Sequence, residues 1–127
     1  NGNATIRLWI DTNGDNTADE QLMYEPYYNI QAYNLLNSAS ILTNTWQTWK
    51  LDGTNGQLWS NWGVTYNSKP PVAAGGYGVN ITIADVLASY PTAKIIGISF
   101  SMGTYNPDQV VLVDNFLMNG VTYNFEN

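Results

Sequence analysis

The chain contains no cysteine and no histidine. The first absence removes disulfides and leaves the redox compartment unreadable from thiols. The second removes the usual acid/base of neutral pH and the commonest transition-metal ligand. Charge is scarce as well: Asp, Glu, Lys and Arg make up 11% of the 127 residues, ten acids against four bases, for a net charge of −6. The bases Arg7, Lys50, Lys69 and Lys94 stand far apart along the sequence. Phosphate backbones are held by clustered Lys and Arg, so no nucleic-acid partner is expected. No apolar run approaches the roughly 20 residues of a membrane-spanning helix, so no membrane insertion is expected either.

With so few charges, the polar surface must come from uncharged groups. There are 17 Asn, with many Thr, Ser and Gln. That composition suits an extracellular or cell-surface β-protein. Asn3-Ala4-Thr5 and Asn80-Ile81-Thr82 are glycosylation sequons that fit export, but such triplets arise readily by chance in an Asn- and Thr-rich chain. Asn1 stands where an initiating Met would, which leads to the expectation of a processed chain or an excised module. The length fits a single domain over 1–127, large enough to bury a core without covalent staples.

Strand-type alternation dominates. Ala4 to Ile10 alternates and then runs apolar, as a strand with one buried face would. Strands are also expected at Tyr27–Leu36, Trp46–Leu51, Lys94–Met102 and Gln109–Leu117. Lys69 to Gly78, rich in Pro and Gly, reads as a long surface loop. Asn119-Gly120 between Leu117-Met118 and Val121-Thr122-Tyr123 is a strong hairpin signal. One helix is expected, with Thr82 as its cap and Asp85 in the capping-box position. Ile83, Val86, Leu87 and Tyr90 form its apolar stripe, and Pro91 ends it. About eight short strands and one helix in a connection point to an all-β, antiparallel β-sandwich of the jelly-roll type.

One segment has a recognisable chemical logic. Asp11, Asn13, Asp15 and Asp19 occupy positions 1, 3, 5 and 9 of a nine-residue loop, with the carbonyl of Thr17 available at position 7. That spacing suits Ca2+, a hard cation that takes six to eight oxygens. The same residues also favour a plain Asx-rich turn. Leu22 stands where an EF-hand places its bidentate Glu, and Asn16 where it places Gly, so a calcium site between two strands is the better reading. Glu20 is read as pointing to solvent.

The five Trp residues invite a sugar-stacking reading, since aromatic faces pack on the C–H faces of pyranose rings. Trp9 reads instead as core filling. Trp46 and Trp49 differ by three, so on an extended strand they face opposite ways, one inward and one exposed. Trp59 and Trp62 lie in a Gly-, Asn- and Ser-containing segment and are the better platform candidates, with Tyr66 placed to rim the site. Catalysis has few actors. A glycosidase needs two carboxylates facing one another, and nothing in the spacing of Glu25, Asp52, Asp85 and Asp108 pairs them. No Ser has a His to activate it, so no enzyme activity is expected.

Trp46-Gln47-Thr48-Trp49, Leu58-Trp59, the helix with Tyr90-Pro91-Thr92-Ala93-Lys94-Ile95-Ile96-Gly97, Val113-Asp114-Asn115-Phe116 and Asn119 to Glu126 together carry a likeness. The chain resembles the jelly-roll β-sandwich modules of secreted archaeal and bacterial multidomain proteins, which are similar in architecture to carbohydrate-binding modules. The resemblance implies that Asp114, in its Val-Asp-Asn pattern, helps hold a structural calcium. A Phe-Glu pair that often supplies a partner ligand near the N-terminus of such modules stands here at the C-terminus, as Phe125-Glu126. The acidic loop also gives a looser likeness to calcium-dependent archaeal extracellular filament and tubule subunits. Two expectations follow. One is a non-catalytic, calcium-stabilised module that binds a polysaccharide or surface glycan. The other is a structural subunit of an extracellular filament, tube or surface layer that self-assembles by strand addition.

Overall fold

A computed structural model describes residues 4–26, 44–49, 51, 56, 58–66, 81–102 and 110–125. The expected strand at Tyr27–Leu36 and the expected loop at Lys69–Gly78 lie outside the described residues, as do Lys50 and Glu126. The described part is mostly antiparallel β-structure with one short helix.

The first strand, β1 (Thr5–Asp11), behaves as its alternation dictates. Leu8 and Ile10 are buried on one face, whereas Arg7 and Trp9 point to the other. β2 (Glu20–Tyr24) returns beside it, pairing Ile6 with Tyr24, Leu8 with Leu22 and Ile10 with Glu20. β4 (Lys94–Ser101) flanks β1 on its other side, and β3 (Trp59–Ser60) flanks β2, giving the order β3-β2-β1-β4. Between Trp9 and Ile10 the β1–β4 register slips, so Trp9 opposes Gly97 and Ile10 opposes Ile95. The Trp9 ring lies over Gly97, where an added Cβ would stand 3.2 Å from its Cε3. Trp9 is therefore half-buried on the face away from Leu8 and Ile10, where reading it as core filling had not placed it.

The core gathers Leu8, Ile10, Leu22, Tyr24, Leu58, Tyr66, Ile81 and Val86. Full burial of one such aliphatic side chain stabilises the fold by about 1.5–3 kcal/mol. Leu58 and Ile81 join through a β-bridge and lead into α1 (Ile83–Ser89). Its capping box is present: the Asp85 amide donates to Thr82 Oγ1 (3.2 Å) and the Thr82 amide to Asp85 Oδ2 (2.8 Å). Val86 is buried, and Ile83 and Tyr90 pack against the core. Leu87, expected in the same stripe, is 45% exposed, because the 83–86–90 face already fills the contact.

A two-stranded ribbon, β5 (Phe116–Met118) with β6 (Val121–Tyr123), forms around Asn119-Gly120. Both turn residues have positive φ, 50° and 79°, as this hairpin turn demands. Phe116, Met118 and Tyr123, with Phe125, face Ile98 and Phe100 of β4 across a groove of about 350 Å³. Phe100 meets Phe116 and Phe125 edge-on, with centroids 5.5 and 6.3 Å apart. Two strand expectations shorten here. Trp46–Trp49 is irregular, and of 110–117 only Phe116-Leu117 is strand. Strands exist by pairing, and in 110–117 the ladder with β6 reaches only Phe116 and Leu117 among the described residues.

Candidate functional site

The acidic loop folds on itself. Asp11, buried at the end of β1, accepts backbone N–H bonds from Asn13 (3.0 Å) and Gly14 (2.6 Å) on Oδ1, and from Asn16 (2.9 Å) on Oδ2. Asp19 accepts the Thr12 amide (2.8 Å) and hydroxyl (2.7 Å) on Oδ2, and the Asn13 side-chain amide (3.2 Å) on Oδ1. Asn13 Oδ1 accepts from the Asp15 amide, and Asp15 Oδ1 from the Thr17 amide. Gly14 (φ 88°) and Asn16 (φ 63°) supply the left-handed backbone that this winding requires.

These bonds set the charge state. Burial alone pushes the Asp11 carboxyl up, but its three backbone donors and the Lys94 ammonium together hold it below the usual aspartate range. Asp19 is also held low, first by the Thr12 hydroxyl and then by the Thr12 amide, against opposing burial and the Asp11 charge. Both are anions at neutral pH. The loop thus offers ionised carboxylates and hard oxygens of the kind Ca2+ takes. Among the described residues no three His, Cys, Asp or Glu side chains converge to hold a metal. The expected set counts the Asn13 amide and the Thr17 carbonyl as well.

Glu20 reverses its expectation. It is fully buried, not solvated, because β2 turns it to the same face as Leu22 and Tyr24. Its carboxylate accepts from the Gln21 amide (2.6 Å), the Ser60 hydroxyl, the Trp62 amide (3.1 Å) and the Val64 amide (3.3 Å). Ser60 Oγ in turn accepts from the Gly63 and Val64 amides, both at 2.8 Å. Asn61 is held by Gln21 through backbone (2.9 Å) and side chain (2.7 Å). The Ser60–Val64 turn therefore hangs on residues 20 and 21.

That turn presents Trp62, 49% exposed, and Trp46 is 68% exposed. Trp49 packs against the core, so of the Trp46/Trp49 pair the first faces water. Trp59 is half-buried beside Met23, and its indole N–H helps stabilise the Glu25 carboxylate. Burial nonetheless raises the Glu25 pKa, the Thr5 hydroxyl and the Arg7 guanidinium opposing it. Tyr66 does not rim a surface: it is fully buried, edge-on to Tyr90 at 5.9 Å. Among the described residues its hydroxyl has no hydrogen-bond partner, and burial, then the Glu20 charge, raises its pKa. The Tyr24 hydroxyl likewise has no partner among the described residues, and burial pushes it up to about 12. Alternation in a loop-like segment carries no signal for such burial.

Asp114 binds locally. It accepts from the Asn115 amide (2.7 Å), the Asn115 side chain (2.8 Å) and the Phe125 amide (3.3 Å), all in the C-terminal segment. None of its bonds reaches the Asp11–Asp19 loop. No helix among the described residues is long and apolar enough to cross a membrane. Comparison with protein-family models, with curated proteins and with solved structures found no match.

Proposed function

We propose that this chain is a non-catalytic extracellular module that binds a polysaccharide or surface glycan. In this reading the β-structure is completed as a jelly-roll sandwich, and Ca2+ neutralises the acidic loop. The observation that carries it is the exposure of Trp62 and Trp46, two indoles open to water in a chain with few charges. An indole face offers C–H stacking to a pyranose ring, and neighbouring Asn61, which is exposed, offers its side-chain amide to hydroxyls. Trp62 is the principal platform and Trp46 a second one. Trp59 and Trp49, which are more enclosed, support the fold. Affinity electrophoresis and calorimetry against a broad polysaccharide panel test the proposal. Binding that is lost in Trp62→Ala is expected, and no binding across the panel overturns it.

Calcium has a separate test. An ion that binds only the folded state raises stability by mass action, so EDTA should lower the Tm. An unchanged Tm would reduce the loop to a turn held by its own hydrogen bonds.

A second reading, a self-assembling structural subunit, is favoured by a different observation. β4 lies at the edge of the described sheet, with Ile95 and Ile96 each 40% exposed. The ribbon and the residue after it also expose Leu117, Val121 and Phe125, and Val110 and Leu112 are exposed further up the chain. A sheet edge beside apolar surface, as β4 is among the described residues, favours strand addition between copies. Electron microscopy with and without calcium decides it: polymers are expected, and a strict monomer under all conditions excludes it.

A further inference from the structure

We infer that Glu20 is the positioning residue of the Trp62 face, and that it carries the order of the acidic loop into that face. The inference rests on the glycan reading for its purpose, though its first test does not. Glu20 is a carboxylate with no exposed surface, placed on the core face between Leu22 and the loop. A buried charge is retained only where donors satisfy it. Apart from the adjacent Gln21 amide, the donors come from one place: the Ser60 hydroxyl and the Trp62 and Val64 amides lie 40 to 44 residues away, and together they define the turn that presents Trp62.

The other end of the connection is equally direct. Asp19, the residue before Glu20, closes the acidic loop through Thr12 and Asn13, and its own amide donates to the Ile10 carbonyl (2.9 Å). Successive residues at the start of a strand point to opposite sides. One backbone step therefore joins two clusters, with the loop held by Asp19 and the Trp62 turn by Glu20. Gly63, at φ 86°, lets the turn close without a side-chain penalty. With Glu20 neutral or shortened, the amides of Trp62 and Val64 lose their charged acceptor. The indole then samples other positions, and the fraction of molecules presenting it for stacking falls.

The test uses the full chain labelled with 5-fluorotryptophan, whose five resonances report the five Trp separately. Trp62→Phe assigns the Trp62 signal. Glu20→Gln is expected to shift or broaden that resonance while leaving Trp46 in place. Asp19→Asn is expected to move it in the same direction by less. An unchanged Trp62 resonance in folded Glu20→Gln overturns the positioning role, and an unchanged one in Asp19→Asn overturns the link to the loop. If Glu20→Gln loses all five native resonances, Ser60→Ala takes its place, since that hydroxyl joins Glu20 to Gly63 and Val64. For any polysaccharide the chain binds, Glu20→Gln should weaken affinity about tenfold, as a tenfold fall in the competent fraction requires. A chain that binds no polysaccharide fails the glycan reading but leaves the resonance test to decide the positioning role.

Discussion

The β1–β2 end of the molecule and the β5–β6 ribbon are both antiparallel pairs, yet they are held in different ways. Around β1 and β2 every carboxylate of the connecting loop accepts backbone or side-chain donors, and all five residues of β2 are buried. The ribbon has an ideal turn and a local register, but it leaves apolar side chains in water: Leu117, beside Thr122 on the outward side, is 63% exposed, and Val121, opposite Met118, is 53% exposed. The first pair is specified by long-range contacts on both faces. The second is specified by its turn and by one aromatic contact with β4. A hairpin of this size is marginal in isolation, so the Phe116 and Phe125 contacts to Phe100, with Tyr123 packed on Phe116, matter more than its own ladder.

The largest expected effect that sharpens this contrast is in the core. Leu22 is fully buried between Leu8 and Ser60 in register, and Leu22→Ala should cost about 2–5 kcal/mol in chemical denaturation. A loss below about 0.5 kcal/mol, the size typical of surface changes, would mean that the β1–β2 end is no better packed than the ribbon.

Acid separates the two regions next. Asp11 and Asp19 are held below the usual aspartate range, so the unfolded chain binds their protons more readily. Their stabilisation is complete above the unfolded pKa of about 4 and disappears as the pH falls through the folded values. Glu25 runs the other way: its raised pKa makes its contribution greatest at low pH, and it is lost as pH rises through the folded value. The loop carboxyls titrate at the acid end, so thermal unfolding in EDTA should show stability falling on acidification below about pH 4. Asp11→Asn should flatten that limb. An acid limb that is identical in Asp11→Asn would show that the loop bonds contribute nothing to folding.

The features legible in the sequence were the locally encoded ones. The Asn119-Gly120 turn, the Thr82/Asp85 capping box and the alternation of β1 each need only residues within a few positions of one another. Glu20 was misread because all that marks it locally is an acidic neighbourhood, while Ser60 and Trp62 lie 40 and 42 residues away. Tyr66 was misread for the same reason, since burial in an irregular segment has no periodicity. The Trp46/Trp49 spacing separated an exposed indole from a packed one, although the segment is not a strand. Residue types could mark the acidic loop as chemically distinctive, but only the fold shows that its last carboxylate neighbours the anchor of Trp62.

The helix cap gives a smaller effect. Thr82→Ala removes the side-chain acceptor of the Asp85 amide and the donor to its carboxylate, and should cost about 1 kcal/mol in denaturant unfolding. No measurable loss would show that the packing of Val86 and Ile83 alone holds α1, as packing holds the ribbon.

The smallest effect on stability belongs to the ribbon's outer side, and it is the one that discriminates most between functions. Leu117 pairs with Thr122 and points away from the groove lined by Phe116 and Met118, so Leu117→Lys removes no core contact. Its unfolding free energy should stay within about 0.5 kcal/mol of the parent. If the side that exposes Leu117 is where copies meet, the same substitution places a charge in that contact and should abolish self-association in analytical ultracentrifugation. If the chain works as a monomeric glycan binder, Leu117→Lys should change neither its sedimentation nor its affinity for polysaccharide, whereas Trp62→Ala should remove the affinity alone. The two substitutions are read on opposite sides of the molecule's contrast: one probes a surface without hydrogen-bonded anchors, the other a surface anchored by a buried carboxylate. A loss of assembly with Leu117→Lys and no effect of Trp62→Ala would transfer the function from the anchored end to the unanchored one.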